Sequence, residues 1–231
     1  VENCKGKIMS GIKQIRTQSL GMGEFVSKDK WLIKQLESTM VSEGRPPRAG
    51  VFYPSSLGNP CDRYLYLSYK GLMPALDIKP KLQRIFDTGG SFEERVEIYL
   101  EKADMLIGRE VVATCDDPPL SGRIDFIIKD GTDKGAILEL KTINSVGFSK
   151  LKGPKPEHLV QVQLYLNTAE PENAYLLYEN KDTQDLKSFK ILHDPLSWED
   201  LVSRCYRIMD MKEAPVKCTG MWYCNCKKVL L

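Results

Sequence analysis

Asp125, Glu139 and Lys141 are charged residues in a stretch that otherwise reads as buried strand. They lie in SGRIDFIIKDGTDKGAILELKT, where residues 122–128 and 136–142 predict two strands and Asp130-Gly131 opens a polar turn. If the hairpin is symmetric about Thr132, Asp125 sits directly opposite Glu139, with Cβ atoms about 5 Å apart. Lys141 follows Glu139 by two and shares its face. The neighbours Ile124, Phe126, Ile127, Ile128, Ile137, Leu138 and Leu140 make both strands apolar on both faces, the pattern of strands buried on both sides. Buried charges are costly unless paired or bound to metal, and a divalent cation would supply the partner. The competing reading is a cross-strand salt-bridge cluster on a solvated face, and the apolar neighbours argue against it.

Other elements must bring further groups to that face. A long helix predicted over residues 80–103 carries FDTGGSFEERVEIYL, with Leu82, Ile85, Phe86, Phe92, Val96 and Leu100 as its buried stripe. Glu93 lies one turn after Gly89, and the missing side chain there leaves room for a metal or a phosphate backbone. Glu93 is then either a ligand or, with Glu94 and Glu97, part of a solvated face. A helix over 156–168 sets His158, Gln161 and Tyr165 on successive turns of one face. Read alone, these are also the polar edge of a half-buried helix.

The remaining elements are helices over 7–17 and 28–40, a Pro/Gly-rich connection over 42–50, and a short helix starting at Ser55-Ser56 and containing Cys61. Strands are expected over 106–113, 174–178 and 187–192. A last helix is capped by Asp194, opened by Pro195 and runs to about residue 211. This order predicts an α/β fold with a central mixed sheet, the hairpin at its centre and helices on both faces. Residues 1–50 read as an N-terminal helical segment and 51–231 as the main domain, which ends in a cysteine-rich tail over 213–231.

Gly89-x-x-x-Glu93, Gly122-x-x-Asp125, Glu139-x-Lys141 and Gln161-x-x-x-Tyr165 occur in this order, within a span from about Tyr53 to the C-terminus. Together they resemble the PD-(D/E)XK nuclease superfamily, specifically its RecB-like exonuclease branch, which includes CRISPR-associated and phage nucleases. The resemblance implies a restriction-endonuclease-like core. It also implies Mg²⁺ or Mn²⁺ held by Asp125, Glu139, Glu93 and the backbone carbonyl of Leu140. Lys141 would position the attacking water or offset transition-state charge. Gln161 and Tyr165 would support the ligands or touch the DNA backbone. RecB-like members usually carry histidine where this chain has Glu93. Glutamate is an acceptable hard-metal ligand, so this changes the coordination and not the reaction class.

Cys218-x5-Cys224-x-Cys226 forms a C-terminal group, and Cys61 stands alone in SSLGNPCDRYLYL. Four thiolates suit a [4Fe–4S] cluster or a structural zinc. The layout resembles RecB-like nucleases in which one cysteine before the core and three after it hold a [4Fe–4S] cluster, pinning the N- and C-terminal segments together. The spacing departs from the family, which usually shows C-x2-C before a longer gap. Cys205 on the last helix is a substitute ligand, while Cys4 and Cys115 read as single thiols.

A net charge of +2 does not declare nucleic-acid binding, although a local basic face remains compatible with it. No apolar run reaches the length of a membrane span and no signal peptide is read, so no membrane partner is expected. Seven cysteines without a secretory signal fit thiols or metal ligation in a reducing compartment, the cytoplasm of a prokaryote or phage-infected host. The expected function is a metal-dependent DNA exonuclease acting on single strands or duplex ends in phage or prokaryotic recombination, repair or processing. Trp222 and Tyr223 either stack on unpaired bases or pack around the cluster. Competing readings are a structure-specific endonuclease on the same site and a DNA-end-binding recombination accessory with a structural cluster. A homo-oligomer or a recombination partner protein is compatible with each.

Overall fold

The hairpin pairs as its sequence symmetry requires, and the rest of the sheet grows outward from it. The structure, a computed structural model, describes residues 30–40, 42–219 and 224–229. The chain divides into two compact units, Val1–Val41 and Ser42–Leu231. In the first, the described part holds one helix, α1 (Trp31–Ser38). The helix expected over 7–17 lies outside the described residues.

The second unit runs β1 (Ser42–Glu43), α2 (Pro54–Leu57), α3 (Asp62–Tyr69), β2 (Asp77–Ile78), α4 (Pro80–Lys102), β3 (Leu106–Cys115), β4 (Leu120–Ile128) and β5 (Ala136–Ile143). It continues with α5 (Ser145–Lys150), α6 (Pro156–Thr168), β6 (Asn173–Asn180), β7 (Leu186–Leu192), α7 (Pro195–Asp210) and a final 3-10 turn (Asn225–Lys228). The main sheet has the order β3-β4-β5-β6-β7. Only β5 and β6 are parallel, joined by a crossover through α5 and α6, so the sheet is mixed with β5 at its centre.

Alternation along the strands builds a core on each face. Phe126, Ile128, Leu138 and Leu140 pack against Phe92, Val96 and Leu100 of α4. Ile127, Ile137, Leu176 and Tyr178 pack against Val162, Tyr165 and Leu166 of α6. The sheet meets only the C-terminal half of α4. Ile85 and Phe86, expected in its buried stripe, are therefore exposed. A third core joins α2, α3, α7 and the tail, through Leu57, Leu65, Leu67, Leu201 and Ile208.

Two local features differ from expectation. The helix expected from Ser55 through Cys61 is two helices, because Gly58-Asn59-Pro60 interrupts it. The break is also a close approach: a Cβ on Gly58 would lie 2.5 Å from the Glu157 carbonyl oxygen at the start of α6. Cys61 is thus not inside a helix but caps α3, its Sγ accepting from Tyr64 N–H at 3.3 Å. The short α5 was not expected, although its Asn144 cap, accepting from Gly147 N–H at 2.8 Å, is a legible start signal. Among the described residues no helix is long and apolar enough to cross a membrane.

Candidate active site and thiol centre

The β4–β5 ladder pairs Phe126 with Leu138, Ile127 with Ile137 and Ile128 with Ala136, each pair symmetric about Thr132. The next pair in that register is Asp125 and Glu139, and there the recorded ladder stops. Asp125 Oδ2 instead accepts the Leu140 N–H at 2.7 Å, a carboxylate taking a position on the ladder. Leu140, proposed for its carbonyl, thus meets the acid through its amide. Ile124 packs in the α6-side core and Phe126 in the α4-side core, so simple alternation breaks at Asp125.

Glu139 is 1% exposed. Its Oε1 accepts from Lys141 Nζ at 2.5 Å and from Gln161 Nε2 at 2.7 Å, while Oε2 is buried without a partner. Burial, then the Asp125 charge, pushes its carboxyl up to about 8. Burial likewise raises Asp125 despite the Leu140 amide. Burial and Asp125 raise Glu93, which approaches from α4. Three carboxyls raised by burial and by neighbouring acids meet here, with one bare oxygen. That donor set fits a hard divalent cation.

Gln161 and Tyr165 reach this site from α6. The Tyr165 hydroxyl donates to the Arg123 carbonyl at 2.8 Å and accepts from Gln161 at 3.3 Å, so one side chain ties Glu139's partner to the strand that bears Asp125. Burial and then Glu139 push this phenol up to about 12. Gly122 makes the approach possible, because a Cβ there would lie 2.7 Å from Pro54 Cγ and 2.8 Å from Tyr165 Cε1. The other motif glycine, Gly89, faces open space. His158, on the same helix, turns elsewhere: its Nδ1 lies 2.8 Å from the Tyr178 hydroxyl, and burial followed by Lys141 holds it down at about 3.

Glu93, Asp125, Gln161 and Tyr165 border a cleft of about 480 Å³, with Glu110 and Arg123 also in its walls, while Glu139 lies buried behind them. Glu110 and Arg123 escaped the sequence reading. Glu110 lies between the register pairs Arg109–Phe126 and Val111–Ile124, beside Asp125, with a left-handed φ of 50°. Few residues other than glycine adopt that backbone, and such strain concentrates at functional sites. Its carboxylate lies 3.4 Å from Arg123, and its charge adds to the raising of both Asp125 and Glu93. In GREVVATC nothing marks Glu110, since no side-chain pattern encodes a left-handed turn within a strand.

The thiols meet across the fold. The ligand atoms of Cys61, Cys218, Cys224 and Cys226 all lie within 4.8 Å of one another. Among the described residues this is the one group of three or more Cys, His, Asp or Glu to do so, and the three carboxylates do not close to that spacing. Cys218 and Cys226 Sγ are 3.4 Å apart. Burial raises Cys61 and Cys224. Burial acts against Cys226 too, but hydrogen bonds from Cys218 and the other thiols bring it below its usual range. Four convergent sulfurs, three of them on buried residues, suit a tetrahedral metal or an iron–sulfur cluster. Cys205 is buried in the same core but stands outside the group, and burial pushes it up to about 12. Trp222 and Tyr223 lie outside the described residues.

No protein-family model matches the chain, and no curated protein matches it. Solved structures do. The protein SSO0001 aligns at TM-score 0.51 with 19% identity, over 80% of this chain and 85% of its own. An alkaline exonuclease from Laribacter hongkongensis, LHK-Exo, aligns at 0.51 with 14% identity, over 76% and 90%. LHK-Exo in complex with dAMP aligns at 0.51 with 13% identity over the same shares. At these identities the likeness is one of fold: this chain folds as an alkaline exonuclease does.

Proposed function

We propose that the chain is a metal-dependent deoxyribonuclease, an exonuclease of the RecB-like PD-(D/E)XK branch, with residues 51–231 as its catalytic domain. The observation that carries the reading is Glu139, buried with one oxygen saturated by Lys141 and Gln161 and the other bare. A bare buried acceptor costs about 1–3 kcal/mol, more when charged. Mg²⁺ or Mn²⁺ would use that oxygen together with Asp125, Glu93 and the Leu140 carbonyl. When bound, the ion supplies an acidified water and neutralises charge on the phosphate.

The chain's own residues do the rest. Lys141 Nζ stands at the Glu139 carboxylate, where it holds the attacking water or a phosphate oxygen. Gln161 fixes the Glu139 rotamer, and Tyr165 fixes the β4 backbone two residues before Asp125. Arg123 brings a guanidinium to an otherwise acidic cleft, where it meets a neighbouring phosphate.

The alkaline exonuclease of similar fold, and its complex with dAMP, support a DNA substrate, as single strands or duplex ends. The four thiols support a [4Fe–4S] cluster, with zinc as the alternative, in a reducing cytoplasm of phage or prokaryotic DNA processing. The test is digestion of end-labelled single-stranded and duplex DNA by anaerobically purified protein, with Mg²⁺, Mn²⁺ or chelator. Cation-dependent release of label, lost in Lys141→Ala, is expected. If no DNA form is cut with any cation, the protein is not a nuclease.

A further inference from the structure

Arg63 is 5% exposed, yet among the described residues no carboxylate pairs with it. Its guanidinium donates to the Pro215 carbonyl at 2.7 Å and to the Val229 carbonyl at 3.4 Å, and its Nε is buried with no partner. Pro215 precedes Cys218 and Val229 follows Cys226, so the two acceptors bracket the three tail cysteines. Arg63 itself is the second residue of α3, whose cap is Cys61. The one acid in the first turn of α3, Asp62, is already committed. Arg204 Nε donates to it at 3.0 Å and Arg207 at 2.6 Å. Two guanidiniums therefore already share the one carboxylate at the start of α3, and Arg63 is left without one among the described residues.

A buried cation needs an anion nearby, and carbonyl dipoles replace only part of its lost hydration. With the four sulfurs as neutral thiols, or joined as disulfides, none is supplied among the described residues. With the sulfurs deprotonated on Zn²⁺ or on a [4Fe–4S]²⁺ core, four negative charges against two positive leave a double negative charge.

We propose that Arg63 is the built-in counter-charge of an anionic metal–tetrathiolate centre, so that the charge of Arg63 and the metal stabilise each other. The proposal rests on reading the four thiols as a metal centre and does not depend on the nuclease reading. A mere clamp for the tail would need only hydrogen-bond donors, and it would act with or without metal.

The test compares full-length wild type, Arg63→Gln and Arg63→Lys. Gln keeps a donor and loses the charge, whereas Lys keeps the charge and loses the fork. Each protein is loaded with iron and sulfide anaerobically, or with zinc, and its metal content is measured. It is then titrated with chelator and melted in loaded and metal-free forms. Arg63→Gln is expected to release metal at about tenfold lower chelator concentration, the scale of losing a group that supports metal ligands, while Arg63→Lys stays near wild type. Loaded Arg63→Gln should melt below loaded wild type, whereas the metal-free variant melts no lower than metal-free wild type. The two loading arms show which metal the centre takes.

Equal lowering of the melting temperature in both forms overturns the counter-charge and leaves a clamp. Metal loss in Arg63→Lys as severe as in Arg63→Gln does the same, and where the Gln variant fails to fold, metal loss from folded Arg63→Lys at about tenfold lower chelator overturns it alone. A wild type that retains neither iron nor zinc overturns the inference together with the metal centre, whatever the DNA digestion shows.

Discussion

Three acids approach one another at the sheet, from β4, β5 and α4, and each is made harder to ionise by burial and by its neighbours. The four sulfurs around Cys61 are arranged differently. They close to within 4.8 Å of one another, and the buried Arg63 guanidinium is held by the carbonyls of Pro215 and Val229 on either side of the tail cysteines. Glu93 and Asp125 border a cleft of about 480 Å³, and the three acids do not close on one another. The thiols Cys61, Cys224 and Cys226 are buried in a hydrophobic core with Leu57, Leu65 and Ile208. Structural metal sites fill their coordination with protein, whereas catalytic sites keep a position for water and substrate. On the proposed function, the difference gives exchange with substrate to the cleft and a joining role, between α3 and the tail, to the thiols.

That division breaks first if the two centres cannot be removed separately. Glu139→Gln should lower DNA cleavage on the order of 10³-fold, the scale of losing a catalytic acid–base or metal-binding group. Its iron or zinc content, measured by elemental analysis, should be unchanged. Cys226→Ser should do the converse: metal content falls and the melting temperature drops on the order of 10 °C, because ligand binding there contributes to folding. A Glu139→Gln protein that loses the thiol-bound metal would make the two sites one system.

The pH dependence of stability sharpens the contrast next. The Glu139 carboxyl is raised from 4.5 to about 8, so the folded protein holds a proton that the unfolded chain has released across this window. Its contribution to stability is complete below about pH 4.5 and is lost as pH rises towards 8. The total is on the order of 5 kcal/mol without metal. Thermal melts of chelator-treated protein from pH 5 to 8.5 should show this slope, and Glu139→Gln should remove it. Mg²⁺ or Mn²⁺ should flatten it too, since the ion takes the place of the proton. A slope that survives Glu139→Gln belongs to other groups and removes Glu139 from this role.

How much of each centre was legible in the sequence follows from how local its determinants are. The register opposing Asp125 to Glu139 follows from one turn and two apolar strands, and it is the register observed beyond them in the ladder. The strands, α4 and α6 were legible from their period and from the prolines that open the two helices. The exposure of Ile85 and Phe86 was not, because an apolar stripe does not show how far the partner sheet extends. Glu110 was invisible because its position depends on a left-handed φ within a strand. The four thiols could be named only through a resemblance, since their meeting joins residues more than 150 positions apart. The exclusion of Cys205 needed the packing of α7. Arg63 gave no signal, because a buried arginine looks like an exposed one until its surroundings are known.

The smallest effects test whether the cleft depends on its strut from α6. Tyr165→Phe keeps the ring and removes the hydroxyl that donates to Arg123 and accepts from Gln161. The loss of these two hydrogen bonds should cost about 1–2 kcal/mol, or roughly 3–6 °C in a melt. Cleavage should fall by about tenfold in kcat, with little change in KM, because Asp125 loses alignment while Arg123 still lines the cleft. Gly122→Ala reaches the same strut from the other side. Its new methyl group would contact Pro54 and Tyr165 well inside van der Waals distance, and the overpacking should cost about 1–3 kcal/mol. If the strut aligns the acids, the double variant loses less cleavage than the two single losses combined, because both act through one contact. Strictly additive losses would mean that Tyr165 touches the substrate independently of Gly122, and the α6 wall would then belong to binding rather than to alignment.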